Sequence, residues 1–267
     1  MGGLLRQKVV RVRGEIDRER EIIPMMLRAR FKNIVCEVHM TGCIVSQSIG
    51  HSNQACALIN PTNEDLVGTA ASYFPVGRRA NNRTIEQQGF NSWGGLDIGS
   101  DQLYATQVVD GHVSMFGGES LSRELEKIPF VGENTSVKCT PGNVKMTCAT
   151  EELKHNFKNI IHAVAPYPTD DNASSVLQNC YVNALHLARK HDFTTIVSPL
   201  IGNGQRGFDD ATSVHAAVKA LERFSQSNQE NKSDIYLCFA LIEDSLVDVF
   251  EVSFNESPIY NLISIFF

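Results

Sequence analysis

Ten consecutive residues of this chain have the types and spacing to hold an anion: Pro199-Leu200-Ile201-Gly202-Asn203-Gly204-Gln205-Arg206-Gly207-Phe208. A β-branched run, Thr194 to Ile201, leads into three glycines within six residues, and a helical pattern begins just beyond them. Strand, glycine loop and helix start together aim backbone N–H groups and the positive end of a helix dipole at an anion. Glycine serves there because a side chain would block close approach, and because such loops often turn through positive φ. The same pattern also describes an ordinary strand-to-helix turn, so the neighbouring elements must decide.

Two familiar phosphate loops do not fit. Gly202-x-Gly204-x-x-Gly207 matches the dinucleotide fingerprint literally, but that fold needs an acidic residue about 20 positions on, at the tip of the next strand. The next strand ends only at Glu243, and sixty residues after Gly207 are too few for the rest of such a domain. Asp209 and Asp210 also stand at the helix start, where they would repel a pyrophosphate resting on the dipole. A P-loop is excluded because no Gly-Lys-Ser/Thr occurs.

The elements that must position the loop follow from patterning. Ala55-Cys56-Ala57-Leu58-Ile59 reads as a strand buried on both faces, stopping at Asn60-Pro61-Thr62-Asn63. Asn33 to His39, Gly42 to Val45, Val137 to Cys139, Val144 to Cys148, Asn159 to Pro166 and Ile235 to Ile242 are further strand candidates. Asp171 to His191 is the clearest helix, with Leu177, Cys180, Tyr181, Ala184, Leu185 and Ala188 at helical spacing. Shorter helices are expected over Ser120–Ile128, 210–225 and 244–252. Residues 14–30, with opposite charges interleaved, read as a solvated helix after an edge strand in 1–13. Residues 69–116 are rich in Gly, Asn, Gln and Ser and read as an insertion, with a hairpin turning at Asp110-Gly111. Alternating strands and helices in the second half imply a mostly parallel sheet covered on both faces. The expected division is a basic extension over 1–32, one domain over 33–255 and a tail over 256–267.

Composition narrows the function classes. The 267 residues are 42% hydrophobic and 20% charged, as in an ordinary globular protein. The net charge is −6, divided as +5 over residues 1–32 and −11 over the remainder, which argues against broad nucleic-acid binding. Seven widely spaced cysteines without Cys-x-x-Cys suggest buried reduced thiols rather than a metal site or disulfide framework. An intracellular protein, cytoplasmic or nuclear, without membrane association, metal or cofactor, is therefore expected.

Four motifs in order resemble the macrodomain family. They are Ala57-Leu58-Ile59-Asn60-Pro61-Thr62-Asn63 followed by Leu66-Val67-Gly68; Thr140-Pro141-Gly142-Asn143-Val144-Lys145; Ile161-His162-Ala163-Val164-Ala165-Pro166; and Pro199 to Phe208. The resemblance implies a three-layer α/β/α fold with a mixed, mostly parallel sheet and an ADP-ribose cleft at the carboxyl ends of the strands. It further implies that Gly202, Asn203, Gly204, Gln205, Arg206 and Gly207 cradle the diphosphate, facing Gly68 or Gly117-Gly118 on the first loop. Asn60 and Asn63 would serve the distal ribose, and Phe208 would pack on the ribose or adenine. His162 is expected to be structural.

The pattern also departs from the family's. Gly42-Cys43-Ile44 stands where members carry Gly-Asp-Ile, whose carboxylate takes the adenine amino group, and a neutral thiol is a poor acceptor. Pro61-Thr62 replaces two alanines, and Gln205-Arg206 replaces an apolar-aromatic pair. Hydrolytic relatives carry an Asp after the first loop; Glu119 is the nearest counterpart, which with Asn63 makes the candidate catalytic pair. The partners implied are ADP-ribose or an ADP-ribosylated protein. The residues leave three functions open: a binding module, a hydrolase of ADP-ribosyl groups or ADP-ribose 1″-phosphate, and a degenerate scaffold for protein or RNA contacts.

Overall fold

The computed structural model describes residues 25–46, 55–67, 108–133, 135–204, 206–227, 233–258 and 261–262. The strands are β1 (Met25–Phe31), β2 (Ile34–Met40), β3 (Ala55–Thr62), β4 (Val144–Cys148), β5 (Phe157–Val164), β6 (Thr195–Ser198), β7 (Ile235–Leu241) and the two-residue β8 (Asn261–Leu262). The α-helices are α1 (Val109–Glu126), α2 (Ala173–Lys190), α3 (Asp210–Gln226) and α4 (Asp244–Glu256), and a 3-10 turn spans Glu151–His155.

One sheet holds all the strands in the order β4-β5-β3-β6-β7-β2-β1-β8. The five from β5 to β2 are parallel, and β4, β1 and β8 pair antiparallel at the edges. Successive side chains of a strand point to opposite faces, and β3 shows the consequence. Ala57 and Ile59 join the apolar cluster under α2, α3 and α4, whereas Leu58 joins the one under α1. Burial on both faces explains the apolar runs of β3 and β7 and the apolar second half of β5, broken only by His162. The layers are thus α2-α3-α4, sheet, and α1, the three-layer arrangement expected.

Several local expectations are corrected. Residues 25–30 are strand, not the end of a helix. Leu27, Ala29 and Phe31 are buried, while Arg28 and Arg30 between them are only partly so. Basic and apolar residues alternate with period two there, and the interleaved charge upstream hides it; residues 1–24 lie outside the described residues. Gly42 to Val45 forms a turn, and Val137 to Cys139 is not strand, although the N–H groups of Lys138 and Cys139 donate to the Glu64 carbonyl. No hairpin turns at Asp110-Gly111; both lie in the first turn of α1, whose Val113 is buried in the core. Residues 108–116 therefore belong to a core helix, and 69–107 lie outside the described residues. Among the described residues no helix is long and apolar enough to cross a membrane.

Candidate functional site

Because five neighbouring strands are parallel, their carboxyl ends gather along one edge of the sheet, where α/β proteins place ligands. The glycine loop leaves β6 at the centre. Asn60 and Asn63 lie at the end of β3 on one side, and the turn carrying Cys43 and Ile44 follows β2, two strands away on the other.

The glycine loop is anchored at both ends and open in the middle. At its start the Ile201 N–H donates to the hydroxyl of the buried Tyr181 at 2.7 Å. At its end the Gly207 N–H donates to the Gly204 carbonyl at 2.9 Å, and the Phe208 N–H to the Gly202 carbonyl at 3.1 Å. Asn203 Nδ2 donates to Asp210 at 2.6 Å, tying the loop to α3. Asp209 caps α3, accepting from the Thr212 N–H at 2.7 Å. Its pKa is lowered: burial acts to raise it, but hydrogen bonds from Thr212 and nearby backbone outweigh that. The helix end is therefore closed by its own carboxylate, and the anion-binding capacity resides in the loop. Among the described residues, the N–H groups of Gly202, Asn203 and Gly204 meet no protein acceptor.

The three glycines do different work. Gly202 and Gly207 have φ of +88° and +78°, where other residues are strained. A Cβ on Gly202 would also lie 3.0 Å from Leu177 and 3.1 Å from Phe208. A Cβ on Gly204 would meet nothing within 4 Å, and its φ is unremarkable for any residue. Gly202→Ala should consequently lower folding stability by about 1–3 kcal/mol, seen as an earlier denaturant midpoint with an unchanged slope. Phe208 is buried in the main core beneath the loop rather than presented to solvent. Gln205 and Gly68 lie outside the described residues.

Arg206 points neither to solvent nor to an empty cradle. Its Nη2 donates to Glu64 at 3.1 Å, its guanidinium lies 4.3 Å from the Tyr167 ring centroid, and Nη1 is buried without a partner among the described residues. It clasps the glycine loop to the residue following Asn63. Asn63 itself is exposed, its side chain within reach, among the described residues, only of the Thr62 hydroxyl at 3.4 Å.

Asn60 is buried and central to a polar chain. Its Nδ2 donates to Asp110 at 2.7 Å and lies 3.4 Å from His162 Nδ1, while His162 Nε2 is 2.9 Å from the Thr147 hydroxyl. Burial lowers the His162 pKa to about 3, so the ring is neutral and positions Asn60 rather than acting as a base. The Asn60 Oδ1 is buried and accepts no hydrogen bond among the described residues.

Asp110, the acid that reaches Asn60, escaped the sequence reading because the expected hairpin absorbed it. Position one residue into a helix, before a glycine, was the available signal. Glu119 is corrected as the candidate acid. It is 87% exposed and pairs with Arg123 at 2.9 Å, beyond the Gly118 kink of α1 from Asp110. Gly117 and Gly118 face no open loop either. The Gly117 carbonyl accepts from Thr150, and a Cβ on Gly118 (φ +57°, ψ −160°) would collide with the Glu151 carboxylate. This pair kinks α1 and seats it on the 3-10 turn.

Cys43 is half-buried, with Sγ 3.7 Å from His112 Nδ1 on the first turns of α1. Burial pushes the thiol up, but hydrogen bonds from His112, from the Ser46 side chain and from the Ser46 and Val45 N–H groups prevail, leaving a pKa of about 6. A pKa of about 6 favours the thiolate at neutral pH, and a thiolate accepts hydrogen bonds where a neutral thiol does so poorly. Alkylation of Cys43 by iodoacetamide should reach half its maximal rate near pH 6 instead of near 9, and His112→Ala should move that midpoint upward. Ile44 beside it is buried.

A family model described as Macro domain matches residues 100–217. An O-acetyl-ADP-ribose deacetylase of Enterobacter cloacae is 29% identical over 133 residues, covering 49% of this chain and 70% of that protein. Ganglioside-induced differentiation-associated protein 2 of Mus musculus is 25% identical over 183 residues, which is 65% of this chain but only 34% of that protein. Among solved structures, an Oceanobacillus iheyensis macrodomain with ADP superposes with a TM-score of 0.59 at 18% identity, over 86% of this chain and 95% of the other.

Proposed function

Because the chain belongs to the macrodomain family, we propose that it binds ADP-ribose, free or attached to protein, along the carboxyl edge of its sheet. The observation that carries this reading is the open centre of the glycine loop. Among the described residues, three consecutive N–H groups, from Gly202 to Gly204, stand without protein acceptors, and a Cβ on Gly204 would meet nothing within 4 Å. Diphosphate oxygens are the acceptors that such a nest of N–H groups suits.

The flanking groups extend the reading in both directions. Asn60 and Asn63 take the distal ribose, and the unfilled Oδ1 of Asn60 supplies an acceptor for a hydroxyl. Cys43 takes the adenine amino group as an anionic acceptor. From β3 to β2 is three strand spacings, about 14 Å, which suits an elongated ligand with a sugar at one end and a base at the other. Six free thiols among the described cysteines support a reducing, intracellular compartment. Equilibrium binding of radiolabelled ADP-ribose tests the reading. Saturable binding that AMP competes only weakly supports it, and equal competition by AMP would remove the distal-ribose assignment.

One observation favours hydrolysis as a second reading: the buried Asp110 carboxylate sits 2.7 Å from Asn60, at the distal-ribose end. There a carboxylate could take the proton from a water attacking an ester on the ribose. Release of acetate from O-acetyl-ADP-ribose, abolished in Asp110→Asn with ADP-ribose binding retained, would establish it. No acetate release from the wild-type chain would remove it.

A further inference from the structure

The sheet buries a second group of chemically capable side chains, away from the glycine loop. Glu37 and His39 lie two residues apart on β2 and so share a face, and Cys238 of β7 is the direct register partner of Glu37. All three side chains are buried, at 1%, 6% and 0% exposure. Glu37 Oε2 lies 3.2 Å from His39 Nε2 and 3.6 Å from Cys238 Sγ, and the three atoms all lie within 4.8 Å of one another.

We propose that Glu37 Oε2, His39 Nε2 and Cys238 Sγ form a binding site for a zinc-class divalent transition metal. Bonds of about 2.0–2.3 Å in a tetrahedral arrangement set zinc's ligand atoms roughly 3.3–3.6 Å apart. The two separations involving Glu37 already match, and the His39–Cys238 edge lies within 4.8 Å. One sulfur, one imidazole and one carboxylate select this class over magnesium or calcium, which take oxygen ligands.

The surroundings fit a metal's outer partners. Arg28 Nε lies 3.2 Å from Glu37 Oε1 and so fixes the carboxylate through the oxygen that the metal does not use. Without metal, His39 Nε2 donates to Glu37 Oε2 at 3.2 Å; metal binding at Nε2 moves the remaining ring proton to Nδ1, which is buried without a partner among the described residues. On binding, the Cys238 S–H proton and any proton on Nε2 leave for solvent or Nδ1, and thiolate plus carboxylate balance the ion's two positive charges. Ligands from two strands two hundred residues apart leave no spacing motif, which is why the cysteine pattern pointed away from metal.

Cobalt(II) titrated into the full chain after dialysis against a chelator tests this. A sulfur-to-cobalt charge-transfer band saturating at one ion per chain is expected. Cys238→Ser should lack it, Cys148→Ser should keep it, and His39→Gln should weaken cobalt affinity by about tenfold or more. Zinc should raise the Tm of the wild-type chain and leave that of His39→Gln unmoved. Absence of the band from the wild-type chain overturns the proposal however the variants fold, and so does a band that persists in Cys238→Ser.

Discussion

Gly204→Val should fold like the wild-type chain and lose at least about 100-fold in ADP-ribose affinity, roughly 2.7 kcal/mol. The two halves of this expectation rest on different observations. Folding is spared because a Cβ at this position meets nothing within 4 Å and the backbone is outside the left-handed region. Binding is lost because the new side chain occupies the space before the N–H groups of Gly202 to Gly204. Each charge-assisted hydrogen bond to a phosphate oxygen contributes about 1.5–3 kcal/mol, so displacing the diphosphate removes more than one. Gly202→Ala, two residues away, should do the reverse and damage the fold first. A thermal melt beside a binding isotherm separates them. Unchanged affinity in Gly204→Val would mean that the ligand does not approach this loop.

Asn60→Ala is expected to cost on both counts. Its Nδ2 is the donor to the buried Asp110 carboxylate, and truncation leaves that charge short of a partner in a low-dielectric setting. Losing such a donor costs about 1–3 kcal/mol, of which removal of the unfilled Oδ1 returns a part. A net loss of about 2 kcal/mol should lower Tm by about 4–8 °C for a chain of this size. ADP-ribose affinity should fall about tenfold as well, because the ribose hydroxyl loses its acceptor. A Tm within a degree of wild type would show that Asp110 does not depend on Asn60, and intact affinity would take the asparagine out of the site.

The central elements were legible in sequence because burial on both faces writes itself plainly. Ala57 to Ile59 and Ile235 to Leu241 are apolar without interruption, Ile160 to Val164 is broken only by His162, and the spacing of Leu177, Cys180, Tyr181 and Ala184 admits only a helix. The edges were harder. In β1 the alternation of Leu27, Ala29 and Phe31 with Arg28 and Arg30 is clear only once the charged segment before it is set aside. The start of α1 was lost because Asp110-Gly111 has the composition of a turn, and composition does not report that Val113 is buried. Without that start, the sequence offers Glu119 as the nearest acid and Gly117-Gly118 as the nearest glycines for the first loop. Both serve packing or the surface of the same helix. Cys43 is hard to read for another reason: an ordinary thiol accepts poorly, and the hydrogen bonds that lower its pKa come partly from His112, 69 residues away.

Arg206 shows a contact that no motif announces. Its pairing with Glu64 and its stacking on Tyr167 join three loops at one edge of the sheet, and each partner lies far from it in sequence. Motif order located the loops, and three-dimensional proximity assigned their side chains.

Isothermal titration calorimetry with ADP-ribose, on the full chain at neutral pH, tests the central claim most directly. One saturable site per chain is expected, with a matching rise in Tm that grows with ligand concentration. No heat and no thermal shift at millimolar ADP-ribose would contradict it.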